Sequence, residues 1–462
     1  MRVAYHIGMF KKCMFASAVT FLLATTLPAQ NARTVVNNAM KAMGAENLKT
    51  IQYSGSASTG TLGQNMNPET GWPLAKVEKY SKEIDFDIPP QWPAQFDIFL
   101  NPYGFLKQAL ANNATVQART VGGKKYNVVS FSLQGKYKVN GYINDQNIVT
   151  KVDTRLDNPV LGDMLVEANY SDYKNFGGLQ FPGMIVQNQG GFPVLIVAVS
   201  DVKANVPVIV RQPPIPATQP VTVLSEKVAD GVFYLRGGTH HSVAVEFSDH
   251  VVVIEAPQNE ERSVAVIAEV KKQIPGKPIR YVVNTHHHFD HSGGLRTYVD
   301  EGATIVTQQV NRAFFEKTFV APHTLNPDRL AQSRKKANIE SFVNRLILSD
   351  NKVVTENTRM LELHLIKGSP HHDGILMAFL PKERIVIEVD VYTPPNVPPT
   401  TPATAMNPAT VNLVENLERL GLDYDRILPL HGPGAATKAD LYRAAGKPVP
   451  GQAPTGRGRG GQ

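Results

Sequence analysis

The chain has 462 residues, 42% of them hydrophobic and 19% charged, with 35 Gly, 33 Pro and a formal net charge of +7. That balance is globular and excludes a collagen-like, coiled-coil or wholly disordered protein. A single Cys, Cys13, excludes a disulfide framework and any thiolate metal site.

The N-terminus sets the expected compartment. Arg2, Lys11 and Lys12 precede an apolar run from Cys13 to Leu27, and Leu27-Pro28-Ala29 offers a small residue for cleavage. A basic start, a short apolar stretch and a small-residue exit predict a secretory signal over residues 1–29 rather than a membrane anchor. A periplasmic or secreted protein with no stable membrane span follows. Loss of the signal lowers the net charge to about +4, part of it in Arg457 and Arg459 of the Gly-rich tail 450–462. A near-neutral body lacks the clustered basic charge of a nucleic-acid surface.

Val36, Met40 and Met43 follow helical spacing and stop at Gly44. From about 49 to 205 the grammar is short alternating strands, such as 126–131 and 137–143, with Gly177-Gly178 as a turn. This predicts a mainly antiparallel β domain over 30–205, whose texture resembles exported domains with a lipoprotein-carrier-like half-barrel. All 12 histidines after the signal lie at 240 or later, so this first body has no imidazole for metal or proton chemistry. Binding, docking and structural support stay open for it.

Pro207, Pro213, Pro214, Pro216 and Pro220 make 206–222 a stiff extended strap. From 223 to 449 strand-like runs (242–247, 251–254, 281–283) alternate with helical stretches near 261–273 and 408–420, which predicts an α/β domain.

The segment Thr285-His286-His287-His288-Phe289-Asp290-His291-Ser292-Gly293-Gly294 follows an apolar strand. In extended chain His286 and His288 project the same way and His287 the other. Four ligand-type side chains within six residues can serve two adjacent cations, with imidazole and carboxylate suited to zinc.

This segment resembles the signature Thr-His-x-His-x-Asp-His of the metallo-β-lactamase superfamily, over about 223–440. The resemblance implies an αββα sandwich with metals at one edge and three further ligands downstream. Gly368-Ser369-Pro370-His371-His372-Asp373-Gly374 supplies His371, with His372 as the one-residue alternative. Asp390, after the strand 385–388, takes the place of the bridging carboxylate, with Val389 where the family usually has Gly; His431 follows the strand 427–430. The implied arrangement is one metal on His286, His288 and His371, another on Asp290, His291 and His431, and Asp390 between them. The implied cofactor is two Zn2+ per chain, with iron or manganese the weaker fit.

Such a pair lowers the pKa of a shared water and clamps a developing oxyanion. The expected activity is hydrolysis of a small-molecule acyl substrate (lactam, lactone, thioester or ester) by a metal-bound hydroxide. Asp290 is the expected proton relay, and Tyr392 the expected hydrogen-bond donor to the oxyanion, as in lactonase-like relatives. His240 and His241 fall in a hairpin near the metals, as neighbours of the ligands or substrate contacts. The proline-dense loop 394–408 and a helical insertion near 311–345, with Phe314 and Phe315, are candidate walls of the site. An iron oxidoreductase of the same fold and an exported binding protein with a vestigial metal site are the competing functions.

Overall fold

The computed structural model describes residues 31–210, 220–350, 358–396 and 406–450. The expected signal, most of the strap, the centre of the proline-dense loop and the tail lie outside the described residues.

The N-terminal body is a nine-stranded sheet, antiparallel at every pairing. Strands from Thr115–Val121 to Phe192–Ala204 run as a meander, and Thr50–Gly60 then pairs with Phe192–Ala204 and carries Leu74–Asp85 at the edge. Two helices cover one face. Ala32–Ala42 is capped by the Asn31 side chain, and Pro102–Ala111 by Asn101 with proline at its first turn. Val35, Val36, Met40, Phe105 and Leu106 from these helices bury against Val129, Phe131, Val139, Val152 and Phe181 of the sheet. The sheet ends at Ala204 and the next one begins at Leu224.

The C-terminal body contains two sheets. The first has seven strands in sequence order from Leu224–Ala229 to Ile339–Phe342, antiparallel through Val251–Ile254 and parallel thereafter. The second has six, from Arg345–Ser349 to Ala436–Thr437, with one parallel pairing between Ile385–Glu388 and Arg426–Pro429.

Period-two alternation assigns the layers. Val243, Val245, Val252 and Ile254 join Leu363, Leu376, Ala378 and Ile427 in the core between the sheets. Ala244, Val251 and Val253 face the opposite way, onto Val266, Ile267 and Val270 of Glu260–Gln273 and onto Tyr298 and Phe315. Leu413, Val414 and Leu417 of Pro408–Leu420, with Leu441 of Lys438–Ala444, pack on the other sheet. The result is the expected αββα sandwich, preceded by the expected antiparallel domain. The helical insertion expected over 311–345 is shorter than that. Only Gln309–Thr318 and Arg329–Ser333 are helical, and the rest pairs as Ile339–Phe342 and Arg345–Ser349.

The two bodies meet along several contacts. Asp163 accepts from the Thr324 and Leu325 backbone N–H groups, at 2.9 and 3.0 Å, and its own N–H donates to Pro322 O. Trp72 and Val160 of the first body pack with Phe289 of the second.

Candidate metal centre

Every expected ligand sits where a strand of the sandwich ends. His286 and His288 follow Ile279–Val283, Asp290 and His291 lie in the single turn Phe289–Ser292, Asp390 follows Ile385–Glu388, and His431 follows Arg426–Pro429. His371 is on the loop ahead of Leu376–Leu380. Two groups of ligand-capable atoms result. His286, His288, His371 and Asp390 form one, and His240, Asp290, His291 and His431 the other, with the atoms of each within 4.8 Å of one another.

Asp390 joins the groups. Its Oδ2 lies 3.2 Å from His286 Nε2, 3.1 Å from His291 Nε2 and 3.0 Å from His371 Nε2, and its Oδ1 lies 2.8 Å from His431 Nε2. Burial opposes its ionisation, but His291, His286 and His371 hold its carboxyl far below the usual carboxylate range. Its φ is +62°, a left-handed conformation that Asp and Asn tolerate better than most residues.

Hydrogen bonds on the far side of the rings set the tautomers, so that lone pairs turn inward. The Thr285 hydroxyl donates to Glu255 and therefore accepts from His286 Nδ1–H, 3.1 Å away, leaving the lone pair on Nε2. His288 Nε2–H donates to the Asn65 carbonyl at 2.9 Å, leaving the lone pair on Nδ1. His431 Nδ1–H donates to Thr239 O at 2.8 Å. His291 Nδ1 faces Glu255 Oε2 at 3.5 Å.

These residues fit a pair of cations. His286 Nε2, His288 Nδ1 and His371 Nε2 are buried without a hydrogen-bond partner. His431 Nε2 and His291 Nε2 lie 3.2 Å apart; His431 Nδ1 is bonded to Thr239 O, whereas His291 Nδ1 is buried without a hydrogen-bond partner. Imidazole nitrogens gathered this closely around a carboxylate form a donor set that suits zinc.

The remaining histidines divide. His371, rather than His372, enters the cluster. Gly374 N–H donates to His372 Nδ1 at 2.8 Å, so His372 Nε2–H donates to His287 Nδ1 at 2.5 Å, and His287 Nε2–H donates to Asn65 Oδ1 at 2.8 Å. His287 is thus a relay behind the ligands, with Phe314 edge-on against it. His240 is closer to the centre than its sequence position revealed. Thr239 and Gln258 both aim donors at its Nδ1, which leaves Nε2–H to donate to Asp290 Oδ2 at 3.3 Å. His241 turns away to Gly432 O. His364 pairs with Glu362, and His323 is buried beside Asp328.

Tyr392 does not stand at the cluster. Its ring is buried in the sandwich core, and burial, then Asp440 on Lys438–Ala444, pushes its hydroxyl up to about 12. Its backbone N–H donates to Glu388 Oε2 at 3.0 Å.

Sequence reasoning missed Glu255, Gln64 and Asn65. Glu255 is fully buried with φ +76° and accepts from Thr285 and Asn284; an acid directly after the apolar strand Val251–Ile254 was its only signal.

Burial pushes His288 down to about 4, helped by His371, and His287 down to about 3, helped by His288. Unfolded, each returns to about 6.5 and takes up protons that the folded state refuses. The contribution of these two rings to the stability of the metal-free protein is therefore full above about pH 6.5 and falls as pH drops toward 4. Burial opposes protonation of His291, but Asp390 and Asp290 push it well above its ordinary value, so it contributes with the opposite sign at higher pH. Urea melts at pH 6.5 and pH 5 should differ by roughly 2 kcal/mol from each histidine. Identical midpoints would contradict the burial of both rings.

A helix-flanked double sheet with this cluster at one edge defines the class. Residues 235–431 match the family model of the metallo-β-lactamase superfamily. A linear primary-alkylsulfatase from Pseudomonas sp is 33% identical over 76 residues, which is 16% of this chain and 11% of that protein's length. Solved structures with a similar fold include a metallo-β-lactamase from Pontibacter korlensis (16% identity, 49% of this chain and 98% of that one, TM-score 0.36). Another is a metallo-β-lactamase from Hirschia baltica (18% identity, 48% and 96%, TM-score 0.33).

Proposed function

We propose that the chain is an exported dizinc hydrolase that cleaves an activated acyl bond in a lactam, lactone, thioester or ester. The observation that carries this reading is Asp390, whose two oxygens face imidazoles of both ligand groups. Held there, two cations would lower the pKa of a shared water and polarise the scissile group. His286, His288 and His371 would hold one of them, and Asp290, His291 and His431 the other. The chain's own groups do the rest. Glu255 and Thr285 orient His291 and His286, and His240 holds a proton at Nε2 beside Asp290 Oδ2. Phe289 and Phe314 stack behind the His286–His291 turn and keep water from its rear. Export rests on the basic start, apolar run and small-residue exit of residues 1–29.

The local match to an alkylsulfatase favours a second reading within the same chemistry, a sulfate ester in place of the acyl group. Metal analysis of the purified protein, followed by turnover of nitrocefin, an acyl-homoserine lactone, an acyl thioester and a long-chain alkyl sulfate, separates these. About two zinc ions per chain with turnover of one of the first three is the expected result. Turnover of the alkyl sulfate alone moves the substrate class. Bound iron with oxygen consumption replaces hydrolysis by oxidation, and metal-free, inactive protein overturns the proposal.

A further inference from the structure

The metal centre is not built by the sandwich alone. The segment 61–73, which joins Thr50–Gly60 to Leu74–Asp85 in the N-terminal sheet, reaches across to it. Gln64 Nε2–H donates to Asp290 Oδ1 at 2.7 Å, and the Asn65 carbonyl receives His288 Nε2–H. Asn65, 2% exposed, also receives the His287 proton on Oδ1. Beyond these contacts, Met66 O accepts from Asp373 N–H at 2.9 Å and Asn67 Nδ2–H donates to Asp373 Oδ2 at 2.7 Å. The approach is tight. Phe289 N–H donates to Gly63 O at 3.2 Å, and a Cβ on Gly63 (φ +76°) would lie 2.4 Å from the Phe289 ring, so no larger residue fits.

Resting on the dimetal reading above, we propose that Gln64 and Asn65 of the N-terminal body are positioning residues of the metal centre. The first body is then a working part of the site rather than a separable docking module. The geometry states each role. Gln64 occupies Asp290 Oδ1, so Oδ2 is the oxygen left facing His291 and His240. The Asn65 carbonyl accepts only a donor, so it holds the proton of His288 on Nε2 and the lone pair on Nδ1. Partners of this kind behind a ligand are worth about 10–100-fold in metal affinity.

The test is stepwise titration of the metal-free full chain with zinc chloride against a chromophoric chelator. Gln64→Met keeps the length of the side chain and removes its donor; Gln64→Ala is the companion in case the thioether packs badly. Asn67→Ala, on the same segment but with a side chain that bonds Asp373 and the Glu69 N–H rather than a residue of the cluster, is the control. In the Gln64 variants one of the two bound zinc ions should weaken about 10–100-fold while the other keeps its affinity, and Asn67→Ala should bind both as the parent does. Unchanged binding in both Gln64 variants overturns the inference. So does equal weakening of both ions together with a lower melting temperature, which marks a merely structural contact. A parent chain that binds no zinc instead overturns the dimetal reading itself.

Discussion

Asp390→Asn is expected to lower turnover on the order of 10^3-fold and to leave fewer than two metal ions per chain. Among the described residues the carboxylate is the one group whose oxygens face both clusters, Oδ2 toward His286, His291 and His371, and Oδ1 toward His431. An amide keeps one neutral acceptor and turns an N–H pair toward the imidazoles, where it would bond the lone pairs that a cation needs, so one side of the bridge no longer favours a metal. Asparagine is the informative replacement because φ at this position is +62°. Alanine there would add a backbone penalty of about 1 kcal/mol that asparagine largely avoids, and that penalty would blur a loss of metal with a loss of fold. Metal content by elemental analysis and kcat on the best substrate of the panel are the two readouts. Two ions retained with near-parental turnover would show that Asp390 does not join the metals.

The candidate ligands were legible because all but His371, which lies ahead of Leu376–Leu380, follow an apolar strand. Extended geometry puts His286 and His288 on one side, and a single turn brings Asp290 and His291 back to them. His371, Asp390 and His431 also flank strands of the sandwich, so a family resemblance was enough to find them. His287 was legible for the same reason, as the side chain that alternation sends away from the cluster. The supports were not legible. Asn65 acts on His288 through a backbone carbonyl, which no side chain encodes, and Gln64 lies 226 residues from the carboxylate it holds. Tyr392 shows the opposite error. Proximity in sequence to Asp390 suggested a role at the metals, but its ring belongs to the core between the sheets. Over 311–345 the phenylalanines at 314 and 315 extended a helical reading too far, and parallel pairing of Ile339–Phe342 with Thr304–Gln308 decided that segment instead.

Arg262→Ala should destabilise the protein by about 3 kcal/mol and reduce activity beyond what that loss of stability explains. Arg262 projects from Glu260–Gln273 and is 1% exposed, yet no carboxylate pairs with it among the described residues. Its guanidinium instead donates to three carbonyls: Thr222 O at 3.0 Å, Leu235 O at 3.1 Å and His240 O at 3.4 Å. Burial lowers its pKa without removing the charge, since a guanidinium stays protonated at any pH at which the fold survives. The three carbonyls belong to the entry of the sandwich, the end of Val232–Arg236 and the turn that presents His240 to Asp290. Closeness is enforced by Gly237, where a Cβ would lie 2.0 Å from the guanidinium nitrogen. Truncation would leave a cavity, take the guanidinium donor from the buried Leu235 carbonyl and the part-buried Thr222 and His240 carbonyls, and release the His240 turn. Arg262→Lys retains the charge but not the fork, and one ammonium cannot span the same three acceptors, so most of the loss should persist. Urea unfolding of the metal-free variants measures the first effect. Turnover at a temperature where each variant is fully folded measures the second, and activity matching the parent there would mean that the turn holds His240 without Arg262.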